Sequence, residues 1–191
     1  MKKQKMFDNG DSTFYGLFGP ITDEAVSPLC EWLIGENYNV GTEEIPRPSK
    51  LVVMINSVGG ELQAAFSVIE LINASKIPVQ TIALGQACSA GLMIFMAGTK
   101  GLRTITPSCS ILSHNYSTEV GGSHHEIINA QKELVHVYDK CLRHYKLHTG
   151  KSEKYIIQHL LTKSDEWITP EEAVKHGLGD TVCENIGFLY P

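Results

Sequence analysis

A single serine stands where an apolar strand pattern gives way to an apolar helix pattern, in the stretch VQTIALGQACSAGLMIFMAG (residues 79–98). Residues 79–84 predict a buried strand, and residues 90–97 predict a helix. Small residues flank Ser89, so its hydroxyl can stand clear of the backbone, as a nucleophile requires. The first N–H groups of the helix would also stabilise an oxyanion. The pattern therefore predicts a nucleophilic serine.

Ser89 has a second interpretation as a helix N-cap, which is a common position for serine. The stretch is not a G-x-S-x-G nucleophile elbow, because Ala87 stands where the first glycine belongs. These residues alone leave both roles open.

Several motifs occur in one order along the chain: INSVGG (55–60), GQACSAG (85–91), ILSHN (111–115), HTG (148–150) and WITPEEAVKHGLGDTV (167–182). Together with the 25 residues from Ser89 to His114, they resemble the Clp protease proteolytic subunit family. The resemblance covers about residues 14–182. It implies a serine-type endopeptidase with a crotonase-like α/β fold, a spiral of β-β-α units with a protruding handle helix.

The same resemblance implies a Ser-His-Asp triad. Of the eight histidines, His114 matches the family's general base, and Asp165 in KSDEWITPEEA matches its acid. Asp139 and Asp180 are the alternative acids, and both are expected to be solvated surface charges.

The resemblance also points to the backbone amides of Gly60 and Ala90 as the oxyanion hole. Glycine at position 60 would permit close approach of a substrate. One departure lies beside it, since Val58 stands where the family usually has proline, whose fixed φ would pre-organise the turn.

Two other histidines, His144 and His148, are four residues apart in a predicted helix and could face one metal ion. No carboxylate or cysteine stands at a convincing spacing for a third ligand. We expect no metal and no cofactor in this chain, and ATP would be used by a partner ATPase.

The elements that must position these residues alternate between strands and helices, which predicts an α/β fold with a largely parallel sheet. Pro28 is expected to kink or delay the first helix, which should follow a Thr22 N-cap. The predicted strands cover residues 14–19, 51–56, 79–84, 102–106 and 111–113. The predicted helices after the first cover residues 61–75, 90–97, 125–147, 152–161 and 170–177.

Composition predicts one globular domain over residues 1–191, with 42% hydrophobic and 19% charged residues and a net charge of −5. There is no basic stripe for nucleic acid and no run of about 20 apolar residues for a membrane span. Five scattered cysteines and the lack of a signal-peptide pattern predict reduced thiols in a cytoplasmic protein.

The long helix predicted over 125–147 has apolar residues on more than one stripe, so we expect it to pack on a neighbouring subunit as well. The resemblance makes it part of a handle, about 118–147, through which two heptameric rings meet as a tetradecamer. Peptides and unfolded proteins would be cleaved inside, fed by an AAA+ unfoldase. Only about 13 residues precede Phe14, where the family has an axial loop, and residues 1–12 are expected to be mobile. The docking of an unfoldase is therefore left open.

Rival functions come from other classes of protein. A crotonase-type acyl-CoA enzyme would share the fold and the two amides, but it needs no Ser-His pair. A non-catalytic ring subunit would be expected to lack the serine or the histidine, and both are present. A peptidase that works without an ATPase partner is a third alternative.

Overall fold

The computed structural model describes residues 7–8, 12–39, 41, 47–117 and 120–187. Most of the segment 1–12 and the first two residues of the predicted handle lie outside this description. The strands are β1 Phe7–Asp8, β2 Ser12–Phe18, β3 Lys50–Ser57, β4 Val79–Cys88, β5 Arg103–Ile105, β6 Ser110–Ser113, β7 Glu166–Ile168 and β8 Thr181–Val182. The helices are α1 Asp23–Tyr38, α2 Leu62–Ala74, α3 Ala90–Met96, α4 His124–Thr149, α5 Glu153–His159 and α6 Pro170–His176.

Six strands of the sheet have the order β1-β2-β3-β4-β5-β8, and every pair in this order except β1–β2 is parallel. The other two strands branch from β4, which pairs with β6 in parallel, and β6 pairs with β7 antiparallel. Buried apolar strands such as β3 are typical of a parallel sheet with covered faces. The α/β prediction with a largely parallel sheet is confirmed.

β4 is longer than predicted, because its two halves pair with different strands. Its first half pairs with β5, and its second half, through Cys88, pairs with β6. Gly85 lies between the halves with φ 68°, a conformation that glycine adopts without strain. The extension carries the strand to the residue directly before Ser89.

The main core lies between one face of the sheet and the helices. All seven residues of α3 are buried, and α2 buries Ala65, Ile69 and Ile72. Leu62 and Phe66 of α2 are partly buried against the same core. The helix that follows Ser89 is therefore held on all sides.

The first helix corrects one expectation. α1 begins at Asp23, directly after Thr22, whose side chain accepts a hydrogen bond from the Ala25 amide at 3.2 Å. It continues through Pro28, so the expected delay is wrong. Pro28 and Glu24 lie on the exposed side, where water can solvate the Glu24 carbonyl that proline leaves without an amide partner.

The C-terminal helices begin and end as their sequence signals predict. Gly150 and Gly177 adopt left-handed conformations directly after α4 and α6. Thr169 and Glu172 form a capping box at the start of α6. The short strands β1, β7 and β8 are not predicted from the sequence, and Phe7–Asp8 forms β1 within the segment expected to be mobile. The position of β7 bears on the site described below.

The five cysteines are free thiols. Within the described ranges, none of the helices combines the length and the apolar character that crossing a membrane requires.

Candidate active site

Three neighbouring strands end at one place. β4 and β6 run parallel with Cys88 opposite Leu112, and the Ser89 amide continues this ladder by donating to the Leu112 carbonyl at 3.0 Å. β7 runs antiparallel to β6 with Ser113 opposite Glu166. The next pair along that register is His114 and Asp165, so strand pairing alone sets these two residues side by side, next to Ser89.

The three side chains meet in a chain of polar contacts. His114 Nε2 lies 2.9 Å from Ser89 Oγ, and His114 Nδ1 lies 3.3 Å from Asp165 Oδ1. A carboxylate can only accept, so Nδ1 carries the proton there, and Nε2 is left to accept from the serine hydroxyl. The Asp165 side chain is 60% exposed, so its contact with His114 serves to orient the imidazole ring and adds little to the stability of the protein.

Ser89 has a strained backbone, with φ 51° and ψ −120°. Among the described residues, Ser89 is the one residue other than glycine that has a positive φ. Such a backbone conformation costs of the order of 1–3 kcal/mol and is typical of functional sites. It occupies the N-cap position of α3, but its hydroxyl makes no capping hydrogen bond and contacts His114 instead. The N-cap interpretation therefore describes its position and not the use of its side chain.

Gly60 lies across from the serine in a parallel bridge with Ile21. The Ile21 amide donates to the Gly59 carbonyl and the Glu61 amide donates to the Ile21 carbonyl, both at 2.9 Å. Because amides alternate in direction along an extended chain, the Gly60 N–H faces away from Ile21. A Cβ at position 60 would overlap the Ile21 carbonyl. Glycine is therefore needed for the contact with Ile21, as well as for the close approach of a substrate that the sequence predicts.

Ala90 supplies the second expected amide. It is the first residue of the buried helix α3, and the first amides of a helix have no intrahelical acceptor. A Cβ at Gly59 would lie 2.8 Å from the Ser89 Cβ and 3.2 Å from the Ala90 nitrogen. The glycine at 59 thus lets the two backbone segments that carry the Gly60 and Ala90 amides approach each other.

The turn at Val58 is held without the proline that the family usually has. The Gly59 amide donates to Ser57 Oγ at 3.0 Å, and Ser57 is fully buried. A serine that bonds the amide two residues on forms a turn through its own side chain. This buried hydrogen bond constrains the turn at Val58.

A cavity of about 430 Å³ opens beside the serine and histidine. The Tyr116 hydroxyl donates to the Leu134 carbonyl at 2.6 Å, which ties the segment after His114 to α4. Apart from Gly60, Ser89 and His114, the residues that line the cavity are not predicted from the sequence, because they come from separate segments of the chain. The cavity is lined by Gly60, Glu61, Leu62, Gln63, Ser89, His114, Tyr116, Ser117, Leu134 and Val137.

His144 and His148, the histidines four residues apart, both lie in α4. His144 is buried, and its Nε2 donates to the Met93 carbonyl of α3 at 2.9 Å. Burial lowers the pKa of His144 to about 3 and that of His148 to about 4, so both are neutral. In the part of the chain that the structure describes, no three side chains form a metal-binding group.

The alternative acids lie elsewhere. Asp139 is exposed on α4. Asp180 was expected to be a solvated surface charge, and this is wrong, because it forms a largely buried ion pair with Arg103 at 2.6 Å. Burial alone would raise the pKa of Asp180, but its hydrogen bonds with Arg103 hold that pKa below its ordinary value.

A serine with a strained backbone, a histidine and a carboxylate, set beside a cavity and two amides, form the arrangement of a serine-type hydrolase. Comparison with known proteins agrees with this class. The sequence model of a family described as Clp protease matches residues 41–186. The chain therefore belongs to the Clp protease family and is a serine-type peptidase, which confirms the predicted family, class and fold.

The similar proteins carry matching names. The ATP-dependent Clp protease proteolytic subunit 2 of Thermobifida fusca is 30% identical over 82% of this chain and 75% of its own length. The subunit 2 of Nocardia farcinica is 28% identical over 86% of this chain and 77% of its own. The ATP-dependent Clp protease proteolytic subunit of Bdellovibrio bacteriovorus is 32% identical over 74% and 68%.

Proposed function

We propose that this chain is a Clp-type serine endopeptidase in which Ser89 is the nucleophile, His114 the general base and Asp165 the orienting acid. The observation that carries the proposal is the 2.9 Å contact between Ser89 Oγ and His114 Nε2, made by a serine with positive φ. A hydroxyl that only capped a helix would bond a helical amide instead.

The proposed reaction begins when Ser89 Oγ attacks the scissile carbonyl carbon and His114 Nε2 takes its proton. The carbonyl oxygen becomes an oxyanion, which the Gly60 and Ala90 amides stabilise. His114 then gives the proton to the leaving amine, and an acyl ester remains on Ser89. Water, deprotonated by His114, hydrolyses this ester and restores the hydroxyl. Asp165 accepts from Nδ1–H throughout, and the cycle needs no cofactor.

The proposed substrates are peptides and unfolded chains. The cavity beside Ser89 has apolar walls from Leu62, Leu134 and Val137, which suit a side chain of an extended peptide. A folded protein does not present an extended backbone to a site recessed between α2 and α4.

The proposed assembly is two stacked heptameric rings in the cytoplasm, joined through α4. Its support is that Ile127, Ile128 and Val135 of α4 are each more than 40% exposed in the single chain. The relatives named above are called ATP-dependent. We therefore propose that an AAA+ unfoldase, not this chain, would use the ATP.

The test compares the purified protein with Ser89→Ala on a short fluorogenic peptide, an unfolded casein-like chain and a stably folded protein, alongside mass in solution. We expect a ring that cleaves the first two substrates and spares the third, and no cleavage by Ser89→Ala. A monomer that cleaves all three would contradict the enclosed chamber. Hydrolysis of an acyl-CoA thioester that survives Ser89→Ala, with no peptide cleavage, would favour the crotonase-type rival.

A further inference from the structure

Two buried hydroxyl groups lie directly behind the strand end that carries His114. Ser113 is fully buried, and its Oγ donates to the Leu160 carbonyl at 2.7 Å. The Tyr145 hydroxyl of α4 lies 2.9 Å from the same Oγ. Because a carbonyl only accepts, the single Ser113 proton goes to Leu160, and Tyr145 must donate to Ser113. The hydrogen bonds therefore run in one direction, from Tyr145 through Ser113 to Leu160.

The residues on both sides of His114 are bound to one segment. Ser113 bonds the Leu160 carbonyl, and the Asn115 amide bonds the Thr162 carbonyl at 3.0 Å. Side chains alternate along an extended chain, so His114 faces the opposite way, toward Ser89. The backbone at His114 thus has little freedom to turn.

The segment that receives these bonds leads within three residues to Asp165. Its position decides where the carboxylate stands opposite His114 Nδ1. Ser113 is therefore linked to both partners of the histidine–carboxylate contact. It directly precedes His114 in the chain, and its hydroxyl is bonded to the segment that precedes Asp165.

Tyr145 brings the long helix into the same network. Its side chain is 1% exposed, and burial raises the pKa of its phenol well above the ordinary value, which keeps it a donor at neutral pH. Thr149 Oγ1 donates to the Tyr145 carbonyl at 2.6 Å within the last turn of α4. The donor therefore lies in a buried and hydrogen-bonded part of the helix.

We propose that Tyr145 and Ser113 are positioning residues, which hold the His114 ring in line with Ser89 Oγ and Asp165 through the strand end between them. The inference rests on the proposed function. It adds a specific claim, namely that α4 acts on catalysis through one phenol hydroxyl as well as through assembly. A pair that only filled the core would affect stability and leave turnover by the folded protein unchanged.

The first test is Tyr145→Phe, which removes the hydroxyl and keeps the ring. The matched control is Tyr155→Phe, since the Tyr155 hydroxyl also makes one 2.9 Å contact, to His176 Nδ1, between α5 and α6. The readouts are kcat and KM on a short peptide and the rate at which a fluorophosphonate modifies Ser89. Both variants are checked for native circular dichroism and native mass in solution.

We expect kcat and the labelling rate to fall about tenfold in Tyr145→Phe, with KM within about twofold of the wild-type value. This lies below the roughly 100-fold that a 1 Å misplacement can cost. Tyr155→Phe should stay within about twofold on every readout. Equal losses in the two variants would mean that loss of either hydroxyl loosens the fold in general, and this result would overturn the positioning role.

Ser113→Ala is the second variant, and it should lose at least as much kcat as Tyr145→Phe. If the two hydroxyls act as one unit, the double variant should lose no more than Ser113→Ala alone. A folded Tyr145→Phe with wild-type kcat and labelling rate would refute the proposal, as would loss of the fold in both single variants. A wild-type protein that neither cleaves peptide nor labels at Ser89 would instead contradict the proposed function itself.

Discussion

The two halves of α4 differ in how much of their surface the rest of the chain covers. The inner half, residues 137–149, buries Val137, Cys141, Leu142, His144 and Tyr145. The outer half, residues 124–136, has none of its residues buried and carries Ile127, Ile128 and Val135 at 44%, 41% and 56% exposure. The contacts of the inner half reach the site within one chain. The exposed apolar side chains of the outer half form the surface that the proposed contact with a second copy would cover.

The largest expected effect comes from breaking the site itself. His114→Ala removes the proposed base, and peptide turnover should fall by a factor of the order of 10⁴ to 10⁶ while the fold is kept. The matched control is His125→Ala on the outer half, which should leave peptide turnover near the wild-type value. A folded His114→Ala protein with more than a few per cent of wild-type turnover would rule out this histidine as base.

Gly60→Ala should have the next largest effect. The added Cβ overlaps the Ile21 carbonyl, so the segment must shift and take the Gly60 amide with it. Loss of one oxyanion donor costs about 10²- to 10³-fold in kcat. Gly35→Ala in α1 is the control, because its Cβ would meet nothing within 4 Å. Equal turnover in the two variants, measured on the same peptide, would show that the Gly60 amide has no part in catalysis.

The outer half of α4 should decide assembly. Ile127→Lys combined with Val135→Lys puts two charges on the exposed apolar surface, and the ring should dissociate while each chain keeps its helical circular dichroism. Gln131→Lys, an exposed polar position on the same half, should leave the mass in solution unchanged. A double variant that stays fully assembled would show that this surface is not the subunit contact.

The inner half should give an effect on stability and not on turnover or assembly, namely a dependence of stability on pH that is small within one pH unit. The folded pKa of His144 is about 3, against about 6.5 for an ordinary histidine, so between these values the unfolded chain binds more protons. The free energy of unfolding should therefore fall as pH drops below about 6.5, by about 1.4 kcal/mol per pH unit for His144. His148, with a pKa of about 4, acts in the same direction.

Urea denaturation at several pH values measures this slope. His144→Gln should reduce it, and His125→Gln, at an exposed position of the outer half, should not. An identical slope in all three proteins would place the acid sensitivity elsewhere.

The sequence could predict those features that depend on near neighbours. The turn at Ser89, the caps at Thr169 and Gly177 and the strand before His114 all follow from adjacent residue types. The position of Asp165 came from resemblance alone. Its physical reason is the register of β7 on β6, and a strand of three residues has too little periodicity to be recognised.

Features that depend on distant partners were missed or misjudged. The sequence predicts a surface charge at Asp180, because Arg103, which pairs with it, lies 77 residues earlier. It predicts the end of β4 at Leu84, since only pairing with β6 carries the strand to Cys88. The Ser113–Tyr145 contact joins residues that are 32 positions apart, and neither residue type predicts such a contact.

The most direct test of the proposed catalytic pair is mass-spectrometric mapping of the residue that a fluorophosphonate modifies. We predict one modified serine, Ser89, in the wild-type protein and a rate of modification that collapses in His114→Ala. The two results together would show that Ser89 is nucleophilic and that His114 makes it so. Modification of another serine, or of Ser89 at an equal rate in both proteins, would contradict the central claim that these two residues form the catalytic pair.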